Sequence, residues 1–144
     1  MSLKQLLGEL GLSTESFSGR LKVQKAVLLL KYLGVSPFDR YEFGLYVRGP
    51  YSPVLALDYY NNTGDAGRIG GELGIPSEAL EKVKWFVGHD ERWLEVASSI
   101  LYIKMRYPDI ASEEILSTLR LSKPWITEQM FKRIMHELSE KALI

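Results

Sequence analysis

The sequence predicts a mainly α-helical fold: a single compact helical domain around a buried central helix, with a short extended segment and a C-terminal helix-turn-helix-like unit. Three observations carry this. Residues 19–34 are apolar around most of a helical circumference, taken at about 100° per residue. Residues 41–48 alternate apolar and other residues with period two. Residues 112–143 read as two helical stretches joined by Ser122-Lys123-Pro124-Trp125-Ile126. The chain has 144 residues, enough for one domain with a real hydrophobic core. We divide it into a central-helix unit (19–61), a glycine-rich loop (63–75) and a C-terminal helical part (76–144).

Leu3, Leu6, Leu7 and Leu10 fall at i, i+3, i+4 and i+7, a short amphipathic helix ended by Gly11. A linker follows, in which Ser18 is placed to cap the central helix. In that helix Arg20, Gln24 and Lys31 share a polar sector about 40° wide. Leu21, Leu28 and Tyr32 flank it on one side, Val23, Ala26, Val27, Leu30 and Leu33 on the other, and Leu29 lies opposite. Lys22 and Lys25 intrude into the apolar arc. Their expected behaviour is to pack their stems and carry their ammonium groups to the surface. The alternative is a buried or interfacial ion pair with an acidic partner. Gly34 is a suitable C-cap and Pro37 prevents continuation.

Tyr41, Phe43, Leu45 and Val47 alternate with Glu42, Gly44, Tyr46 and Arg48, a strand with one apolar face. Its backbone needs a pairing partner in this chain or across a homodimer. Gly49-Pro50 is expected to break the strand. Ser52 then caps a helix with Pro53 at its first position, running through Val54, Leu55, Leu57 and Tyr60 to Asn61-Asn62. Glycines at 64, 67, 70, 71 and 74 follow. That stretch has neither the Gly-Lys-Ser/Thr ending of a phosphate loop nor a strand-to-helix Gly-x-Gly-x-x-Gly turn, so it reads as a surface loop. Pro76-Ser77-Glu78 opens a helix with Leu80, Val83, Phe86 and Val87 as its buried stripe and Gly88 at its end. Asp90 caps a broadly apolar helix over 91–107, the expected packing partner of the central helix, stopped by Pro108. In the last unit Glu113 and Glu114 suit a helix N-terminus, and Thr127 caps a helix with Met130, Phe131, Ile134 and Leu138 inward.

Composition narrows the function. Lys+Arg and Asp+Glu both total 18, which disfavours bulk electrostatic binding to nucleic acid. The absence of cysteine rules out disulfides, thiolate catalysis and zinc–thiolate sites. No apolar run approaches the roughly 18 residues of a membrane span, and the first residues lack a signal peptide's apolar core, so a cytoplasmic protein is expected. Asn and Gln are scarce, as in thermophilic proteins.

The chemistry-bearing residues do not assemble into a catalytic set. His89 and His136 lie far apart, neither with metal-ligand spacing, and read as structural or surface residues; no metal or cofactor is expected. No Gly-x-Ser-x-Gly turn is present. The C-terminal unit ends like the recognition helix of a winged-helix regulator, but no wing follows. Residues 112–144 balance five basic against five acidic side chains, and Glu128 stands where a reader helix meets phosphates. Tyr46, Arg48 and Tyr51 bracket what reads as a rigid Gly49-Pro50 turn. Tyr and Arg are favoured interface anchors, although packing on the core is the simpler role for a tyrosine at a helix start.

Leu21-Lys22-Val23-Gln24-Lys25 followed by Gly49-Pro50-Tyr51-Ser52, with Leu57 and Asp58 in the next helix and Lys123-Pro124 through Glu128 later, resembles the Panacea domain family, which includes SocA-like antitoxins and YwgA-like proteins. The likeness is close over 19–61 and looser over 90–140. Ala26, Leu28 and Arg48 depart from the family pattern, in which a larger apolar residue, an aromatic residue and a tyrosine are common. The resemblance implies a mainly helical, non-enzymatic domain that binds protein. Family members neutralise toxins or present a bound toxin to a protease. The expected function is thus an antitoxin or regulatory adaptor with a protein partner. A winged-helix-like nucleic-acid-binding regulator is the alternative. The candidate partner-binding residues are Lys22, Lys25, Tyr46, Arg48, Gly49, Pro50, Tyr51 and Ser52.

Overall fold

Ser16, rather than Ser18, opens the central helix: its hydroxyl accepts from the Gly19 N–H at 3.0 Å. The computed structural model describes residues 2–61 and 74–144. Of the glycine-rich stretch only the last two residues are among these, and the loop reading of the rest lies outside the described residues.

The first helix, α1 (Leu3–Leu10), has the expected bounds, with Gly11 left-handed at its end. Ser2 and Gln5 form a reciprocal capping box at its start. The central helix α2 runs Phe17–Tyr32. It closes in a Schellman motif, in which Gly34 (φ 73°) donates to Lys31 O and Val35 to Leu30 O. Leu28, Leu29 and Leu30 are fully buried in succession. Each such side chain contributes about 2 kcal/mol of transfer free energy, and the run shows that α2 is enclosed on nearly every side.

The predicted strand over 41–48 is shorter than its alternation implied. Only Gly44–Tyr46 (β1) is a strand, and it pairs antiparallel with Gly49–Tyr51 (β2) of the same chain. Tyr41 and Phe43 are buried ahead of the strand, while Leu45 and Val47 are exposed. The reason is local. A short 3-10 turn, Phe38–Arg40, precedes the segment, and Lys31 Nζ takes the carbonyls of Asp39 and Tyr41, which a longer ladder would otherwise have used.

Gly49-Pro50 does not break the strand either. The reversal falls on Val47-Arg48, and Gly49-Pro50 begins the returning strand. Proline is tolerated because it pairs with Leu45. Pro50 has no N–H to exchange, so this must be a non-hydrogen-bonded pair, with ladder bonds at the flanking pairs Tyr46–Gly49 and Gly44–Tyr51. The Pro50 carbonyl consequently points away from β1, toward α2.

Helix α3 (Pro53–Tyr60) follows, capped by Ser52 as expected. Beyond the undescribed segment come α4 (Ser77–Val87), α5 (Glu91–Arg106), α6 (Ser112–Ser122) and α7 (Glu128–Glu140). Asp90 and Thr127 cap α5 and α7. Helix α5 packs along α2, as expected, and also supports β2 and α7. Side chains from all seven α-helices of the described residues meet in one hydrophobic core. The fold is mainly helical with a small antiparallel hairpin.

The last helix pair is joined by Lys123 through Thr127, and the chain's end folds back, so that Leu143 is buried and its carbonyl accepts from the Tyr32 hydroxyl. His89 stacks on Trp93 with ring centroids 3.6 Å apart, and its Nδ1 faces the Trp85 and Phe86 carbonyls. It sits in an aromatic cluster between α4 and α5, a structural position. No helix among the described residues is long and apolar enough to cross a membrane.

Candidate functional site

The hairpin is held against the helices by three polar side chains rather than by apolar packing alone. Gln24 on α2 is buried, not solvent-facing as its polar sector suggested. Its Oε1 accepts from Ser52 N at 2.8 Å, and its Nε2 donates to Ser52 O at 3.0 Å. Lys25 does not snorkel. Only 2% exposed, it donates from Nζ to the outward-turned Pro50 carbonyl at 2.8 Å. Lys123, at the end of α6, reaches the hairpin turn and donates to Val47 O at 2.8 Å.

Lys123 also forms a buried ion pair with Glu95 of α5, 2.8 Å between Nζ and Oε2. Glu95 is thus the acidic group of the cluster, and its direct partner is Lys123. Burial pushes the Lys25 ammonium down from 10.5 to about 7; Glu95 opposes that shift and Lys123 adds to it. Gly49 lies directly over this cluster. A β-carbon there would stand 3.1 Å from Lys25 Nζ, 3.1 Å from Ser99 Oγ and 3.2 Å from Glu95 O, and the backbone has φ 94°. Two constraints therefore require glycine: the approach and the left-handed conformation.

Asp58 and Tyr41 form a separate buried pair ahead of the hairpin, the hydroxyl donating to Oδ2 at 2.6 Å. Of the residues that carried the family resemblance, Gln24, Lys25 and Lys123 are buried and bond the hairpin or the Ser52 that follows it.

Above this network the hairpin, α2 and α3 enclose a cleft of about 430 Å³. Its walls are Phe17, Tyr46, Tyr51, Tyr59 and Tyr60, and its charged lining residues are Arg20, Lys25 and Arg48. Phe17, Tyr46 and Tyr60 are 51%, 55% and 61% exposed. Tyr46 meets Tyr51 edge-on at 5.6 Å, and the Arg48 guanidinium lies over the Phe17 ring at 5.4 Å. Burial raises the Tyr59 hydroxyl above its ordinary pKa, keeping it neutral and able to donate. Such a lining can stack flat groups, hold an anion and donate hydrogen bonds.

Of the residues singled out in the sequence, Lys25, Tyr46, Arg48, Gly49 and Tyr51 meet at this cleft. Pro50 and Ser52 lie beneath the surface as frame, and Lys22, half-buried on α2, does not line the cleft. Sequence reasoning missed Phe17, Arg20, Tyr59 and Tyr60 as lining and Glu95 and Lys123 as frame. A signal existed for Glu95: with Ser98 and Ser99 it marks a polar i, i+3, i+4 patch on an otherwise apolar helix.

On α7 the exposed cations are answered by carboxylates one turn away, Lys132 by Glu128 and Arg133 by Glu137, and His136 Nε2 contacts Glu140 in the same spacing. Among the described residues no three His, Cys, Asp or Glu side chains converge as a metal site requires. Compared with protein-family models, with curated proteins and with solved structures, the chain matches none of them.

Proposed function

We propose that this chain is a non-enzymatic binding module of the antitoxin or adaptor type, and that it captures a protein partner in the aromatic cleft beside the hairpin. One observation carries the reading: exposed tyrosine, phenylalanine and arginine side chains line a preformed cleft whose wall is tied down from α2 and α6 by buried hydrogen bonds. Aromatic and arginine anchors around a cleft held in place are the usual energetic centre of a protein interface. The amine at the cleft floor, Lys25, is engaged by Pro50 O, which favours binding over covalent chemistry. The convergence of Gln24, Lys25, Ser52 and Lys123 on one hairpin supports the Panacea-like reading, because it gives those motif residues a shared purpose. The pairing of cations on α7 weighs against the nucleic-acid alternative, since paired cations release few counterions on binding phosphate.

The test is affinity capture from native-host lysate, with and without nuclease, comparing the wild type with Tyr46→Ala/Tyr60→Ala. A stoichiometric protein that survives nuclease and is lost from the folded double variant is the expected result. Recovery of nucleic acid alone, or capture indifferent to both tyrosines, overturns the proposal.

A further inference from the structure

We propose that the cleft receives an acidic peptide segment of the partner carrying aromatic or aliphatic side chains; this rests on the protein-binding reading above. The observation is a local charge excess. The chain as a whole is neutral, yet among the described residues the cleft is lined by the arginines Arg20 and Arg48, with Lys25 buried at its floor, and by no Asp or Glu. Neither arginine is paired with a carboxylate among the described residues. Arg20 bonds the Thr14 and Glu15 carbonyls through Nη1, which positions its guanidinium without cancelling its charge. Arg48 rests on the Phe17 ring, again a contact that leaves the charge intact. Beneath them, the single Glu95 carboxylate is bonded to Lys123 and stands near Lys25 as well, so the floor offers no surplus negative charge.

The apolar half of the requirement comes from the walls. Phe17, Tyr46 and Tyr60 line the cleft and are exposed, and a volume of about 430 Å³ accommodates one or two side chains rather than a whole helix. An extended segment with carboxylates flanking an aromatic residue satisfies both halves at once. Single-stranded RNA would use the same rings, but it needs a basic track continuing along the backbone. Here the cleft rim itself presents two arginines, and Lys132 and Arg133 of α7 are paired with carboxylates.

The experiment is fluorescence anisotropy with labelled peptides of repeated Glu-Phe, Gln-Phe and Lys-Phe of equal length, beside a uridine oligonucleotide. The protein is used as wild type, Arg48→Glu and Arg20→Glu/Arg48→Glu, each checked for folding by circular dichroism. The expected result is binding of the Glu-Phe peptide at least about tenfold tighter than Gln-Phe, weakening with salt because the rim charges are screened. The preference should fall in Arg48→Glu and invert toward Lys-Phe in the double variant. Equal binding of the three peptides, binding of none, retention of the preference by the folded variants, or arginine-dependent binding of the oligonucleotide alone overturns the proposal. The broader reading fails separately, when capture of a protein partner no longer depends on Tyr46 and Tyr60.

Discussion

Gln24 grips Ser52 in both directions, its amide oxygen 2.8 Å from the Ser52 nitrogen and its amide nitrogen 3.0 Å from the Ser52 carbonyl. One side chain thereby satisfies the N–H of a fully buried residue and shares its carbonyl with the Ala56 N–H of α3. It does so where strand gives way to helix and no ladder is available.

Gln24→Leu should consequently leave the buried Ser52 N–H unsatisfied, while the Ser52 carbonyl keeps the Ala56 N–H. A loss of about 1–3 kcal/mol, the cost of one orphaned group, is expected in urea unfolding, with Gln24→Glu in between because it keeps an acceptor for Ser52 N–H. A Leu variant within about 0.5 kcal/mol of wild type would show that water or rearrangement satisfies Ser52 without Gln24.

Lys25 gives the protein a pH dependence above neutrality. Its folded pKa, about 7, lies below the 10.5 of an ordinary lysine. Between these values the unfolded chain holds a proton that the folded chain does not, so stability rises with pH. The slope from this group is up to about 1.4 kcal/mol per pH unit. Below pH 7 both states are protonated and the contribution is gone. Lys25→Met should flatten the profile across that window, independently of the pH-invariant penalty for orphaning Pro50 O. Parallel profiles for the two proteins between pH 7 and 10 would refute the assignment.

Gly49 and Gly34 separate conformation from space. Both have positive φ, 94° and 73°, but a β-carbon meets polar atoms only at Gly49. Gly34→Ala should cost about 1–2 kcal/mol, the left-handed penalty alone. Gly49→Ala should cost clearly more and should also shift hydrogen exchange at the hairpin. Equal costs would mean that Lys25 and Ser99 move aside freely.

Removing Lys123 strands Glu95. Lys123→Met is expected to lose about 3–5 kcal/mol, as when one partner of a buried ion pair is deleted. Lys123→Met/Glu95→Leu should recover most of it. The double variant still lacks the bond to Val47 O, so its hairpin amides should exchange faster than in wild type. Additive losses in the two single variants and the double would argue against a coupled pair.

The helices were legible because their signals are local. Gly11, Ser52, Pro53, Asp90 and Thr127 mark ends through their own backbone or side-chain chemistry. The buried network was not, because periodicity treats a polar residue as outward-facing and cannot see a carbonyl arriving from a distant segment. Gln24 and Lys25 find their acceptors 28 and 25 residues away. The strand was overextended because Tyr41 and Phe43 are apolar for the core's sake, not for a sheet's. The motif stretch did locate the cleft's frame and half its lining, while Phe17, a turn before the motif, carried no signal of its own and Arg20 read only as part of a polar helix sector.

The hairpin's tip is fastened by Lys123, 76 residues further along the chain. During synthesis the stretch that bears the recognition side chains leaves the ribosome long before the lysine that pins them. A chain cut short before α6 would display the rings without their final fastening. The cleft's wall is therefore completed only once the end of α6 has been made, and the hairpin's order reports the arrival of a segment distant in sequence.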